Sequence, residues 1–407
     1  MKIIWYFFTF NYFDTTDKAM NTNKKQPSKE KKGKLSFSKI NAWLHLWLGI
    51  GSGLIVVIIS LTGAMLVFES EITSMSSPWL HANATANAEQ MPPSAIYKSV
   101  HKNMPDKVIQ SVWYNGPGKT AKVSIKDSDS LVFVNPYNAA VVAVVDHEDF
   151  FHVIEEGHFH LWLPHEIGEI MTSWGTFIFF FLLISGLILW YPKKWNKANR
   201  NKSFKIKWSS SFKRLNYDLH NVLGFYSLII AIIMAFTGLC LSFNWFREGV
   251  YWASGGQTEE KSKKEHIVET TAHGNSVDKL AAADYIWLKV RNEIAQENKE
   301  AVIISFNEKP EDNIYACTDM YLGVWRDLYF DPKTLKLLPA SQVNVSEEPF
   351  ANWLRRSNYS LHTGMIGGIA TKIIYFIAST ICASLPITGF LVWLGKKKKK
   401  KPSLKNQ

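Results

Sequence analysis

The chain has 407 residues, of which 47% are hydrophobic and 20% charged, with a formal net charge of +11 and three cysteines. Three cysteines exclude a disulfide framework, and no C-x-x-C-H motif is present to attach a c-type haem. The mean hydropathy of −0.07 averages long apolar runs with long polar stretches.

Four apolar runs of about 20 residues or more are long enough to cross a bilayer as helices. In chain order, the predicted organisation is a basic leader at 1–39, helix 1 at 41–68, a polar segment at 69–167, helix 2 at 168–191, a basic loop at 192–217, helix 3 at 218–244, a second polar segment at 245–366, helix 4 at 367–394 and a basic tail at 395–407. The sequence therefore predicts a four-helix membrane protein.

Half of the positive charge lies in three short segments next to these helices. Residues 21–39 hold seven lysines, residues 193–214 hold nine basic residues and no acid, and the last twelve residues hold seven lysines. Basic loops stay cytoplasmic, so both termini and the loop are expected inside and the two polar segments outside. Because each basic run abuts a membrane helix, we expect a lipid surface and no nucleic-acid partner.

The chain also repeats itself once. Helices 1 and 3 share the pattern His-x3-Gly followed by Thr-Gly, at His45, Gly49 and Thr62-Gly63 in one and at His220, Gly224 and Thr237-Gly238 in the other. A border histidine precedes helix 2 (His160) and helix 4 (His362), and each polar segment carries a strand, an Asn/Asp-Pro turn and a second strand, at 131–142 and 328–338. Two parallel halves are predicted, each made of a helix, an outer α+β module, a histidine and a helix.

The border histidines predict a cofactor. His45 and His220 would lie at the inner level, and His160 and His362 at the outer level, with His158 as the alternative outer residue. Two imidazoles facing each other are what a six-coordinate haem iron needs. A glycine at i+4, here Gly49 and Gly224, shares the face of its histidine and leaves room for the macrocycle.

The sequence thus predicts two b-type haems, with haem iron as the only metal. Candidate aromatic walls are Trp43, Trp47, Phe225 and Tyr226, and candidate partners of the propionates are Lys39, Arg214, Lys372 and either Arg355 or Arg356. Zinc and purely structural histidines remain alternatives. The Thr-Gly and Ser-Gly pairs late in each helix are expected to serve helix packing.

These residues resemble the PepSY-associated transmembrane helix family. The segments LHLWLGIGSG, HLWLPHEIG, DLHNVLGFYS and LHTGMIGG are similar to the family's membrane helices, and FVNPYNAAVV and YFDPKTLKLL are similar to the turn of PepSY domains, so that the resemblance covers about 36–396. It implies four transmembrane helices with two periplasmic PepSY-like modules in the inner membrane of a Gram-negative bacterium. It further implies a di-haem ferric-siderophore reductase of iron uptake, which releases Fe(II) and uses His45, His220, His160 and His362 as haem ligands.

Several functions remain open at this point. The chain has no G-x-G-x-x-G motif after a strand, so its electrons are expected from a separate reductase or a membrane quinol. The alternatives to siderophore reduction are a haem carrier for a different acceptor, and a non-redox PepSY protein that binds or regulates a periplasmic partner. A transporter is less favoured because no acidic residue lies in the middle of a predicted helix.

Overall fold

The structure is a computed structural model of the chain. It describes residues 36–83, 89–128, 130–146, 150–256, 278–295, 301–307, 309, 311–318, 324–342 and 348–397. Most of the predicted basic leader and the end of the basic tail lie outside the described residues.

Among the described residues, four helices are long and apolar enough to cross a membrane. We name them span 1 (Phe37–Leu66), span 2 (His165–Trp190), span 3 (Phe212–Ser242) and span 4 (Met365–Gly395). The predicted class is confirmed, and the chain is a multi-pass helical membrane protein. Span 3 contains a π-helical turn at Leu219–Leu223 between its α-helical parts, Phe212–Asp218 and Gly224–Ser242. Span 4 is a short 3-10 turn, Met365–Gly367, followed by the α-helix Gly368–Lys397.

The remaining described elements are short. The other α-helices are α1 (Glu69–Ser76), α2 (Pro93–Asn103), α3 (Phe150–His160), α4 (Lys197–Phe204), α5 (Asn244–Ala253), α6 (Lys279–Lys289) and α7 (Phe350–Thr363). The strands are β1 (Ile109–Tyr114), β2 (Ala121–Ile125), β3 (Leu131–Val134), β4 (Val141–Val145), β5 (Val302–Ser305), β6 (Ile314–Thr318) and β7 (Arg326–Phe330). A 3-10 turn at Pro78–Leu80 and a π-helical turn at Val290–Ile294 complete the set.

The spans form a ring in which each packs on two neighbours. Span 1 packs on spans 2 and 4, and span 3 packs on the same two, so spans 1 and 3 face each other across the bundle. Helix α3 packs on span 1 in the way that α7 packs on span 3. We call the end of the bundle from which residues 69–164 and 244–364 emerge the sheet end, and the opposite end, which carries the basic loop, the loop end.

The strands of the two polar segments form one antiparallel sheet of seven strands in the order β4-β3-β2-β1-β5-β6-β7. The seam is the pairing of β1 with β5, in which Val112 lies opposite Ile304. The sequence predicts two α+β modules, and the structure joins their strands edge to edge. This pairing removes two exposed strand edges, which would otherwise present unpaired backbone groups.

Helices α2 and α6 cover one face of this sheet. Ile96 on α2 and Ile286 on α6 are fully buried against strand residues such as Val112 and Leu328. The backbone N–H and the hydroxyl of Ser94 both donate to the carboxylate of Asp284, at 2.8 and 2.6 Å, and so tie the two helices together. The alternation of buried and partly exposed residues along β2 and β7 gives the sheet one core face.

The two Asn/Asp-Pro turns lie at equivalent places in the sheet. Asn135 Oδ1 accepts from the backbone N–H of Tyr137 at 2.9 Å, and β4 then pairs with β3. Asp331 Oδ1 accepts from the N–H groups of Lys333 and Thr334 after β7. After this turn, the returning chain pairs with β7 through one isolated β-bridge, between Leu337 and Phe330, and not through a full strand.

Candidate functional site

Two histidines meet across the bundle at the loop end. His45 lies in span 1 and His220 lies in the π-helical turn of span 3, and their ring centroids are 6.5 Å apart with planes inclined at 84°. Single π-helical turns inside α-helices occur frequently at functional sites. The structure thus brings together the two inner residues that the sequence singles out.

A second pair meets at the sheet end. His158, near the end of α3, faces His362 on α7, with ring centroids 6.3 Å apart and planes inclined at 59°. The two pairs therefore have almost the same separation.

Each histidine is held at Nδ1 by the neighbouring helix. His45 Nδ1 lies 2.6 Å from Ser185 Oγ, and the other three Nδ1 atoms each contact one hydroxyl and one backbone carbonyl. These partners are Thr62 and Ile59 for His158, Thr388 and Leu385 for His220, and Thr237 and Met234 for His362, all at 3.0–3.1 Å.

These contacts assign the tautomer of the rings. A carbonyl oxygen can only accept, so Nδ1 carries the proton in His158, His220 and His362. Ser185 Oγ also lies 3.2 Å from Leu182 O, so its hydroxyl can donate there while it accepts from Nδ1 of His45. Within the part of the chain that the structure describes, none of the four Nε2 atoms makes a hydrogen bond. Each neutral ring therefore presents the lone pair of Nε2, and a ligating histidine typically donates its other N–H in this way.

A glycine lies against Cε1 of every one of these rings. A Cβ atom built on the glycine would come within 3.0–3.3 Å of Cε1, for the pairs Gly63 and His158, Gly186 and His45, Gly238 and His362, and Gly389 and His220. Each glycine directly follows the serine or threonine whose hydroxyl contacts Nδ1. The Ser/Thr-Gly pair thus forms a seat, in which the hydroxyl fixes the ring and the glycine leaves room for it.

Sequence reasoning missed these seats. It assigned the four Ser/Thr-Gly pairs to helix packing, whereas the structure places each of them against a histidine. The signal was available, because the same pair recurs late in all four spans. What hid its meaning is that each pair holds a histidine from another helix, far away in the sequence.

The sequence expected His160, with His158 as the alternative, to face His362, and the structure corrects that pairing to His158. Residues two apart on a helix lie about 200° apart around its axis, so only one of the two can face the bundle. His160 points away and lies against His165, with ring centroids 4.0 Å apart.

Burial acts on the two histidines of the sheet-end pair, which lie outside the spans. It lowers the pKa of His158 to about 4, with a further contribution from His362, and it lowers the pKa of His362 as well. Both rings are therefore neutral at neutral pH, which is the form that binds iron.

The predicted packing glycines differ in their surroundings. Among the described residues, no atom lies within 4 Å of the place where a Cβ of Gly49 would sit, whereas a Cβ of Gly224 would meet Leu385 Cδ2 at 3.5 Å, an ordinary packing contact. Gly49 therefore borders open space on span 1, and Gly224 serves the contact between spans 3 and 4.

Several predicted partners of haem propionates already have protein partners. Lys372 binds the carboxylate of Glu71 at 2.8 Å, Arg214 binds Asp218 at 2.7 Å, and Arg356 binds Glu348. Arg355 lies over the ring of Tyr251. Of the predicted aromatic walls, Phe225 stacks on Trp190 with centroids 3.9 Å apart, Tyr226 Oη donates to Phe204 O, and Trp43 contacts Trp47. Phe225 and Tyr226 thus contact other residues of the loop end.

The family model described as the PepSY-associated TM region matches residues 42–396, which include all four histidines and all four seats. No curated protein matches the chain.

Proposed function

The chain belongs to the PepSY-associated TM region family, and from this membership and the two histidine pairs we propose that it is a di-haem electron carrier that reduces a ferric chelate. One b-type haem would be held by His45 and His220, and the other by His158 and His362. The acceptor would be a ferric siderophore or a similar ferric chelate at the sheet end, with iron leaving as Fe(II).

The separation of the rings carries this proposal. A metal–imidazole bond is about 2.0 Å long and the ring centre lies about 1.2 Å beyond the nitrogen, so two rings on opposite sides of one iron have centroids about 6.4 Å apart. The observed separations are 6.5 and 6.3 Å. Two independent pairs thus have the spacing that one iron between two imidazoles requires, and both present unprotonated Nε2 atoms.

The surroundings of the rings favour haem over a small zinc site. Structural zinc sites are almost always tetrahedral. Their four ligands are often close together in the sequence and often include cysteine or carboxylate groups. Here each pair offers two imidazoles, and the cysteines Cys240, Cys317 and Cys382 are buried elsewhere. Each pair would hold one haem iron through its two imidazoles, and the bound haem would supply one-electron redox chemistry.

When bound, the two haems would supply one-electron transfer between the two levels of the bundle. The chain's own contribution is to hold the ligands. The Ser/Thr hydroxyls orient Nδ1 and thereby aim Nε2, and the glycines allow each ring to lie close to the neighbouring helix. Because both members of a pair come from opposite sides of the bundle, the packing of the spans sets the separation of the rings.

The direction of transfer follows from the charge of the loops. The nine basic residues at 193–214 favour the loop end on the cytoplasmic side and the sheet end on the periplasmic side. The loop-end pair would then receive electrons from a quinol or a separate reductase, and the sheet-end pair would deliver them. The four spans would lie in the inner membrane of the cell. The α+β sheet would stand on its periplasmic side, beside the place where electrons are delivered.

A reoxidation experiment tests the function. The purified protein is reduced with dithionite under nitrogen, freed of excess reductant and mixed with a ferric hydroxamate chelate. We expect the reduced haem spectrum to disappear and two Fe(II) ions to form per chain, because each ferric ion takes one electron. Haem that stays reduced would point to a different acceptor, and protein without haem would favour a non-redox binding or regulatory role.

A further inference from the structure

A second group of metal-binding side chains lies at the sheet end, outside the two histidine pairs. His160 Nδ1 lies 3.3 Å from Glu156 Oε2, His165 Nε2 lies 3.8 Å from the same oxygen, and one ligand atom from each residue falls within 4.8 Å of the other two. We call these three residues the outer cluster. No role in the electron carrier proposed above uses them.

The fold builds the outer cluster at the junction of α3 with span 2. Glu156 and His160 are four residues apart on α3 and so share one face of that helix. His165 is the first residue of span 2, and the chain reaches it through a tight turn. The turn reverses the chain direction so that the two imidazoles come to lie side by side.

That turn has an unusual backbone. Leu161 and Trp162 both have positive φ, 55° and 56°, a region that non-glycine residues rarely adopt. Two hydrogen bonds hold it in place: Trp162 Nε1 donates to Val153 O at 2.7 Å, and Trp162 N donates to Glu156 O at 3.3 Å. Span 2 also approaches closely, because a Cβ added to Gly168 would come within 2.2 Å of His160 O. The position of the cluster is thus fixed by packing on both sides.

The donor set and its spacing suit a divalent transition-metal ion. Two imidazoles and one carboxylate bind zinc and non-haem Fe(II) in other proteins, with positions left for water or other ligands. Bonds of about 2.0–2.2 Å place neighbouring ligand atoms about 3.0–3.5 Å apart, close to the 3.3 and 3.8 Å observed here. The side chains are 17%, 27% and 73% exposed for His160, Glu156 and His165, so an ion can enter from one side.

The outer cluster is adjacent to the sheet-end pair but separate from it. His158 faces His362 inside the bundle, and His160, two residues on, faces the opposite side of α3. An ion at the cluster would therefore lie beside the place where the proposed function delivers electrons, without sharing a ligand with that pair.

We propose that Glu156, His160 and His165 bind one divalent first-row transition-metal ion. The binding stands on the geometry of the three side chains. The further assignment of this ion as Fe(II), captured after reduction of a ferric chelate, rests on the proposed function. A chelate surrounds Fe(III) with hard oxygen ligands. In the proposed role, the imidazole nitrogens of the outer cluster would take the place of some of these oxygens once the iron is Fe(II), which nitrogen ligands suit.

Zinc is the probe for the binding itself, because it accepts the same ligands and is redox-inert. The full-length protein, carrying a purification tag without histidine, is dialysed against buffered Zn(II), and zinc and haem are counted per chain in the same sample. We expect one zinc per wild-type chain. His165→Ala and His160→Ala should each weaken binding by at least about 100-fold, the upper end of the effect of losing an outer-shell partner.

A matched control separates the cluster from ordinary surface histidines. His101 is exposed on α2 and lies outside the cluster, so His101→Ala should leave zinc binding unchanged. His165 is itself 73% exposed, so replacing it should leave the fold intact. Wild-type protein without zinc, or His165→Ala protein that still holds one zinc with unchanged affinity, would overturn the proposal.

The same samples separate this proposal from the function it deepens. One zinc without haem would leave the ion site standing and the electron carrier refuted, and two haems without zinc would do the reverse. For the assignment of Fe(II), the protein is passed through a desalting column under nitrogen after it has reduced a ferric chelate. We expect the wild type to retain one Fe(II) per chain and His165→Ala to retain none, and equal retention would overturn that assignment.

Discussion

The seats of the histidines lead to a prediction about a single methyl group. Gly63 lies on span 1, and a Cβ atom there would come 3.0 Å from Cε1 of His158. Gly51 lies on the same helix, and no atom of the described part of the chain falls within 4 Å of its Cβ position. Gly63→Ala and Gly51→Ala therefore make the same chemical change, with the same gain in helix propensity of about 1 kcal/mol, and differ in the contact with the histidine.

The structure gives the size of the effect. Ordinary contacts begin at 3.4 Å, so the ring of His158 must retreat by about 0.4 Å. Its Nδ1 is held at 3.1 Å by both Thr62 Oγ1 and Ile59 O, and the retreat stretches these bonds towards the limit of a hydrogen bond. Overpacking costs about 1–3 kcal/mol and a weakened hydrogen bond about 0.5–1.5 kcal/mol. A combined loss of about 1.5–4.5 kcal/mol corresponds to a roughly 10- to 1,000-fold lower affinity for haem at this pair.

The assay is the haem content per chain, measured as the pyridine haemochrome after dialysis against apomyoglobin, which competes for haem. Gly63→Ala should lose the haem of the sheet-end pair first and keep the haem of the loop-end pair. Gly51→Ala should lose haem as slowly as the wild type. If Gly63→Ala and the larger Gly63→Val both retain two haems as firmly as Gly51→Ala, the seat has no role in holding the ligand and the reasoning is refuted.

Four further predictions rest on three features of the structure. His158→Ala should contain one haem per chain and His160→Ala two, by haemochrome count, and the reverse result would restore His160 as the ligand. Glu71→Gln should lower the free energy of unfolding by about 1–2 kcal/mol, because it leaves the buried ammonium of Lys372 unpaired, and the value is discounted because Glu71 is 40% exposed. Thermal unfolding of Glu71→Gln/Lys372→Met should recover most of that loss, and a double variant as unstable as the single one would contradict the pairing. Burial is the largest single effect and raises the pKa of Glu71, but the hydrogen bonds from Lys372, the backbone and Ser70, together with the charge of Lys372, outweigh it and hold the pKa below its usual 4.5. The stability from this pair should therefore be present above pH 4.5 and disappear as the pH falls through the lowered value, so a melting temperature with the same acid dependence in wild type and Glu71→Gln would contradict it. Leu328→Ala should cost about 2–5 kcal/mol because Leu328 is fully buried in the sheet, whereas Val144→Ala, at 48% exposure on edge strand β4, should change stability by less than about 0.5 kcal/mol. Equal melting temperatures of these two variants would contradict the assignment of Leu328 to the core of the sheet.

The parts of the fold with strong local signals were predictable from the sequence. The four spans follow from long apolar runs, and the α+β character of the polar segments follows from short β-branched runs around Asn/Asp-Pro turns. The joining of both segments into one sheet was not predictable, because β1 and β5 pair across about 190 residues and neither strand carries a mark of its partner.

The candidate site divides in the same way. The repeated His-x3-Gly pattern identified His45 and His220, and the structure brings their rings together. The choice between His158 and His160 depended on the turn at Leu161 and Trp162. The residue types in this turn do not predict its positive φ angles. The role of the Ser/Thr-Gly pairs was hidden because each pair acts on a histidine from another helix, and only the packed bundle shows which one.

The most direct test of the account is the haem content of the purified wild-type protein. It is made with ample haem supply, and its pyridine haemochrome and low-temperature electron paramagnetic resonance spectrum are recorded on the same sample. The two histidine pairs, with rings 6.5 and 6.3 Å apart, predict two b-type haems per chain, both low-spin with two imidazole ligands. Protein without haem, or with haem in a high-spin five-coordinate state at both levels, would contradict it.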